Sequence, residues 1–302
     1  MLEYEDFRLL IRDSINKHLP PDEYEDATIQ TVIKNNDRTL YGINVRKRGN
    51  NIAPTIYLED YFKRYLDGAS IHETLNDIAS FIIQNADICP VNKGEIDNLD
   101  NFESIRDKIR IRLINESLNE EYLKDKPSTP VAGDLRAIYC INLHSNDGNS
   151  YVVITDRLLD LYKISVEELH QIAINNITPE EVLFTNIFEI ISEFLPHKED
   201  SSLDESNIPM YVLTNTAKCY GASCVMSPSV MDMVMDKIGG SDIYILPSSI
   251  HELIIIKSSG MDTEALRSMV KEVNASEVDP SELLSDEVYQ YDYTTHSLMI
   301  AA

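Results

Sequence analysis

The chain has 302 residues, 43% of them hydrophobic and spread along its whole length, enough apolar surface to offset the entropy of ordering a backbone and to exclude general disorder. It carries 51 acids against 26 bases, a formal net charge of −25, and a surface so charged repels phosphate backbones and anionic bilayers, which argues against direct nucleic-acid or membrane binding. No run of eighteen apolar residues occurs, the opening MLEYEDF lacks the basic-then-apolar order of a signal peptide, and four scattered cysteines (Cys89, Cys140, Cys219, Cys224) are too few for a disulfide scaffold, so the expected compartment is a reducing one, the cytoplasm.

In chain order, Phe7, Leu10, Ile11, Ile15 and Leu19 recur at spacings of three and four, predicting an amphipathic helix that ends at Pro20-Pro21. Ala27–Lys34 and Thr39–Val45 flank Asn35-Asn36-Asp37 and read as a hairpin, with Thr55–Leu58 as a third strand before helices at 59–66 and 70–86. A short helix is expected at 99–107. Lys108–Leu113 alternates strictly, predicting a strand with one buried face and one basic face. A helix is expected at 116–124, and Lys126-Pro-Ser-Thr-Pro130 reads as a boundary. A second hairpin, Ala137–His144 and Ser150–Thr155, leads to helices at 156–162, 165–175 and 185–194. A polar loop at 196–208 follows. The last third predicts strands at 210–214, 218–222, 242–246 and 252–256, helices at 227–238 and 263–274, a short capped helix from Asp279, and a closing strand pair. Hairpins outnumber parallel crossovers, so the expected class is α+β, antiparallel sheet with packed helices.

The expected organisation is an N-terminal region 1–126 and a C-terminal region 131–302, with a sub-boundary near 196–208. An internal echo leaves two readings open, a pair of related subdomains or a simple recurrence of strand, helix and capped helix. Ile56-Tyr-Leu-Glu-Asp60 runs through a helix to Ser70-Ile-His-Glu73, and Ile154-Thr-Asp156 to Ser165-Val-Glu-Glu168, both ending in the S-x-x-E pattern of a capped helix.

Catalytic motifs for phosphate, dinucleotide, zinc-protease and serine-hydrolase chemistry are absent. Four weaker constellations remain. Cys219 and Cys224 form half of a metal site for which His144 and His251 are the only tempting partners, so no metal is expected. Cys140 and His144 share one strand face and form a candidate nucleophile and base, with Asp156 as a third group. Ser249 and His251 flank the Pro247-Ser-Ser249 turn and form a second such pair, although no oxyanion donors adjoin them, and a structural role is expected for both. Between Lys163 and Lys218 stand ten acids against Lys198 alone; of these Glu180, Glu181, Glu189 and Glu193 define a candidate acidic interaction patch.

Tyr211-Val-Leu-Thr-Asn215, Tyr220-Gly-Ala-Ser223, Ile245–Glu252, Met269–Asn274, Glu277-Val-Asp-Pro280 and Leu284–Tyr289 resemble the C-terminal region of a family of gut clostridial proteins known only as a domain of unknown function. The N-terminal Tyr4-Glu-Asp-Phe7 also fits, so the resemblance implies membership over the whole chain. It implies no activity, cofactor or catalytic residue. The functional expectation is therefore a cofactor-free cytoplasmic protein that acts by binding a protein partner, a basic one if the acidic patch serves it, as an interaction or regulatory module. The alternatives are a nucleic-acid mimic that blocks a basic-grooved enzyme, and a hydrolase using Ser249/His251 or Cys140/His144.

Overall fold

The computed structural model describes residues 1–50, 52–88, 93–145, 148–187, 189, 210–240, 242–258 and 262–302, with backbone alone at 93, 144, 145, 148 and 149. The chain divides into two compact units, Met1–Lys93 and Gly94–Ala302. The division thus falls well before the expected boundary at 126–131, which lies inside the second unit.

In the first unit, α1 (Tyr4–Ile15) buries Phe7, Ile11 and Ile15 and gives way to a 3₁₀ turn, Asn16–His18, just ahead of the two prolines. A three-stranded antiparallel sheet follows, β1 (Thr28–Ile33), β2 (Thr39–Asn44) and β3 (Thr55–Tyr57), with β2 central. Asn36 and Asp37 turn the hairpin at positive φ, a conformation their short polar side chains tolerate better than most. Helices α2 (Glu59–Leu66) and α3 (Ile71–Asn85) complete the unit. Ser70 accepts from the Glu73 amide while the Glu73 carboxylate accepts from the Ser70 amide, a reciprocal capping box. Ile43 of β2 and Ile78 and Ile82 of α3 close one core with the buried face of α1.

The second unit opens with the short helices α4 (Lys93–Asp97) and α5 (Phe102–Ile105). Its first sheet contains β4 (Ile109–Asn115), β5 (Ser128–Ala132), β6 (Leu135–Ser145) and β7 (Gly148–Val153), all antiparallel. Along one edge of β6, Leu135–Ile141 pairs with β4; along the other, β5 pairs near Ile138 and β7 from Cys140 onward. Helices α6 (Asp156–Tyr162) and α7 (Val166–Asn175) follow, the latter capped by Ser165. A six-stranded antiparallel sheet runs in the order β13 (Ser297–Ile300), β12 (Tyr289–Asp292), β10 (Ile243–Leu246), β11 (Leu253–Lys257), β9 (Met210–Asn215), β8 (Val182–Asn186). Helix α8 (Pro228–Ile238) lies between β9 and β10 in sequence, and α9 (Thr263–Glu277) between β11 and β12. The fold is mixed α+β with several antiparallel sheets.

Five local expectations change. Residues 116–124 form turns, because the Asn115 carbonyl and side chain already bind Asn119 Nδ2 and the Leu118 amide. Within the 126–130 stretch, Ser128–Pro130 form the start of β5. Residues 182–186 form β8 where helix was expected to begin at 185; the β-branched Val182 and Thr185 suit the pleat. Residues 221–226 are 3₁₀, since Lys218 and Tyr220 take positive φ and bend the chain out of the sheet. Asp279 caps a turn through the amide and hydroxyl of Ser281. The loop expected at 196–208 and Cys89 lie outside the described residues. The echo persists as a shared order: strand, strand, helix, serine-capped helix (β2-β3-α2-α3 and β6-β7-α6-α7). The reciprocal box is present at Ser70.

Candidate functional site: a polar cavity in the second unit

The feature that gathers most chemistry is a cavity of about 240 Å³ where β4, β6 and β7 meet the segment after β9. Its floor follows from β4. Arg110 and Arg112 share one face by strand alternation, but that face is not solvated as expected. Arg112 is 7% exposed, and β4 is covered on both sides. The Arg112 guanidinium lies 3.8 Å from the centroid of the Tyr220 ring, a cation–π contact. Its Nε is buried without a hydrogen-bond partner, and among the described residues no carboxylate comes within ion-pair range. Arg110 borders the cavity. Nη1 donates to the carbonyls of Asp107 and Ile109, and Nη2 stands 3.5 Å from Glu181.

The opposite wall is a built loop. Asn215 ends β9, and its side chain donates to the Cys219 carbonyl and accepts from the Cys219 amide, closing the loop on itself. Gly221 has to be glycine: a Cβ there would stand 2.2 Å from Thr214 Oγ1 and 2.6 Å from the His251 carbonyl. The Tyr220 ring packs edge-on against Tyr151 of β7 and stacks on His251. Asn142, from β6, lines the cavity with a buried Oδ1 that has no hydrogen-bond partner among the described residues. Asn176, just past α7, is anchored by Nδ2 donating to the carbonyls of Arg106 and Ile109.

Three cysteines line this cavity, all free thiols. Burial pushes Cys140 and Cys224 up to about 12. It also raises Cys219, which a hydrogen bond with Tyr151 and the charge of Arg112 partly offset. Protonated thiols are poor nucleophiles. Cys140 Sγ faces the Arg110 carbonyl at 3.7 Å, and His144 shares its strand, although the His144 side chain lies outside what is described.

The second sequence pair is engaged elsewhere. Ser249 Oγ accepts from the His251 amide at 2.9 Å, and His251 Nδ1 accepts from the Tyr220 amide at 3.1 Å. With Nδ1 an acceptor, the ring proton sits on Nε2, 3.5 Å from Glu282. Each side chain thus braces a backbone amide, and the two side chains do not hydrogen-bond to one another. The acidic patch divides. Glu181 turns to Arg110 at the cavity mouth. Exposed Glu180 binds its own amide and Thr178, which lowers its carboxyl. Glu189 is exposed, and Glu193 lies outside the described residues. Among the described residues no group of three metal-ligating side chains is assembled, and no helix is long and apolar enough to cross a membrane.

Sequence reasoning passed over Arg110, Asn142 and Tyr151, and took Tyr220 only as part of the resemblance. The signal for the arginines was available in the alternation of Lys108–Leu113. Asn142 and Tyr151 carried no signal, because only the β6–β7 register brings them to the cavity. No curated protein and no solved structure matches the chain. A model for a family of unknown function, DUF5688, matches residues 4–293, and the chain belongs to that family.

Proposed function

We propose that the protein acts by binding, and that the occupant of its principal site is a small polar molecule held in the cavity of the second unit. One observation carries this reading: Asn142 lines the cavity, and its buried Oδ1 has no hydrogen-bond partner among the described residues. Leaving such an oxygen unsatisfied costs about 1–3 kcal/mol, and a ligand that donates to it removes that cost. The surrounding groups support recognition over catalysis. Amides and tyrosines line the cavity, the thiols are held protonated, and Ser249 and His251 brace the loop. The unpaired thiols also fit a reducing, cytoplasmic setting.

The test is a variant that blocks the mouth. Ala217 lines the cavity and is exposed, so Ala217→Trp fills the entrance without entering the core. Native mass spectrometry of gently purified protein should show a bound small molecule in the wild type and its loss in A217W. Identical spectra from both proteins would overturn the reading.

A second reading, association with a basic protein, is favoured by the charge of −25 together with exposed Glu180 and Glu189. It predicts association that is fast at low salt and slows as salt rises. Replacing Glu180 and Glu189 by glutamine should lower the on-rate of any partner recovered by pull-down; an unchanged on-rate removes this reading.

A further inference from the structure

We propose that the cavity takes a small carboxylic acid bearing a hydrogen-bond donor beside its carboxylate, a short hydroxy or amino acid. The inference rests on the small-ligand reading above and adds the charge and size of the ligand to it.

The first observation is charge. In a chain with 51 acids against 26 bases, this site sets two arginines from one face of β4 against Glu181, 3.5 Å from Arg110, and Glu282, which stands beside His251 and acts on Cys219. Arg112 is buried beside the cavity, and among the described residues its guanidinium packs on the Tyr220 ring with no carboxylate in ion-pair range. A cation–π contact returns about 2 kcal/mol at best when desolvated. Burying a guanidinium without a counter-charge costs several kcal/mol. An anion in the cavity supplies the missing charge.

Contact falls to Arg110. Its Nη1 is pinned to two carbonyls, which fixes the plane of the guanidinium. The Glu181 carboxylate opposite Nη2 is more than half exposed and stands at the 3.5 Å limit of hydrogen bonding, so a better-placed carboxylate displaces it readily. Planar guanidinium and carboxylate match each other in a two-bond fork.

The remaining groups narrow the class. Asn142 Oδ1 asks for a donor, which a hydroxyl or amino group next to the carboxylate provides. Glu181 at the mouth disfavours a dianion, which excludes phosphate esters. Ile111, Ile177 and Val182 supply an apolar side for a short carbon chain. At about 240 Å³ the space is below the roughly 300–1,000 Å³ of sites that enclose drug-sized molecules.

Isothermal titration of the full chain with lactate, alanine, lactamide and inorganic phosphate tests this. Lactate or alanine should bind saturably, lactamide at least tenfold more weakly, and phosphate not at all. Arg110→Gln should weaken the acid at least tenfold and leave lactamide within threefold. Should R110Q fail to fold by circular dichroism, the comparison of lactate with lactamide on wild type decides alone. Lactamide binding as tightly as lactate, or phosphate binding alone, with both lost in A217W, would overturn the carboxylate assignment and leave the small-ligand reading standing. The absence of any A217W-sensitive binding among the four, with no co-purified molecule, overturns both.

Discussion

At the scale of single residues, the cavity wall is held by a few groups with no slack, and two consequences are measurable. Gly221→Ala places a methyl group against Thr214 Oγ1, the Asn215 amide and the His251 carbonyl. Two of these are backbone and cannot swing aside, so a loss of about 2–3 kcal/mol in urea unfolding is expected. The buried thiols give a pH dependence with a definite sign. Cys140 and Cys224 keep their protons in the folded chain up to about 12, whereas an unfolded thiol ionises near roughly 8.5. Below that value both states are protonated and the thiols add no pH dependence. Above it the unfolded chain releases protons that the folded chain retains, so stability falls toward pH 12 by up to about 1.4 kcal/mol per pH unit per thiol. Urea midpoints between pH 8 and 10.5 should fall more steeply for wild type than for Cys140→Ala/Cys224→Ala. Tyrosines titrate in both proteins, so the difference in slope isolates the thiols, and parallel curves would contradict the assignment.

At the scale of elements, what the sequence made legible was whatever local physics decides. The period of α1, the Asn35–Asp37 turn, the serine caps and the closing β12–β13 pair were all readable, because each depends on neighbours within a few residues. The failures share a different cause. Val182–Asn186 pairs with β9, a strand more than twenty residues on, and that distant partner overrides its helical spacing. The 218–222 strand was lost to two positive-φ residues, which no propensity announces at a lysine and a tyrosine. The candidate site was the least legible part, since Arg110 and Asn142 meet through the β4–β6 register and Cys219 reaches them on the loop after β9. Helix ends remain the sharpest test of what was read correctly. Ser70 makes both bonds of its box, while at Ser165 the hydroxyl accepts from the Glu168 amide and binds the Glu167 carboxylate without the return bond that completes a box. Ser70→Ala should therefore cost about 1–2 kcal/mol and Ser165→Ala about 0.5–1. Lys163, which ends α6 at φ 58°, invites the opposite result: Lys163→Gly should stabilise by about 0.5–1 kcal/mol, because glycine adopts that conformation without steric cost.

At the scale of the whole molecule, charge sets the behaviour. Surface ion pairs exist, such as Arg46 with Glu25 and Lys47 with Asp87, but they are exposed, and pairs of that kind contribute about 0–1 kcal/mol each. With 51 acids and 26 bases, most carboxylates are left to repel one another, and folding brings them closer than the extended chain does. Salt acts on the two contributions in opposite directions. Raising ionic strength from about 0.01 to 0.15 M shortens the screening length from about 30 to about 8 Å. Repulsion between distant carboxylates then fades, while contacts at 2.6–2.8 Å such as those two pairs lie inside one screening length and weaken less. The net effect should be stabilising. The thermal midpoint should rise by several degrees between 0.01 and 0.15 M sodium chloride and change little from there to 0.5 M. Sodium chloride is the suitable salt, since sulfate would add its own strengthening of apolar burial. A small carboxylate in the cavity imposes the opposite salt dependence on its own binding, because screening weakens its attraction to Arg110. Added lactate should therefore raise the midpoint more at 0.01 M than at 0.15 M salt, and A217W should lose the lactate increment while keeping the salt response. A midpoint that is flat or falls with salt would mean that the ion pairs outweigh the repulsion.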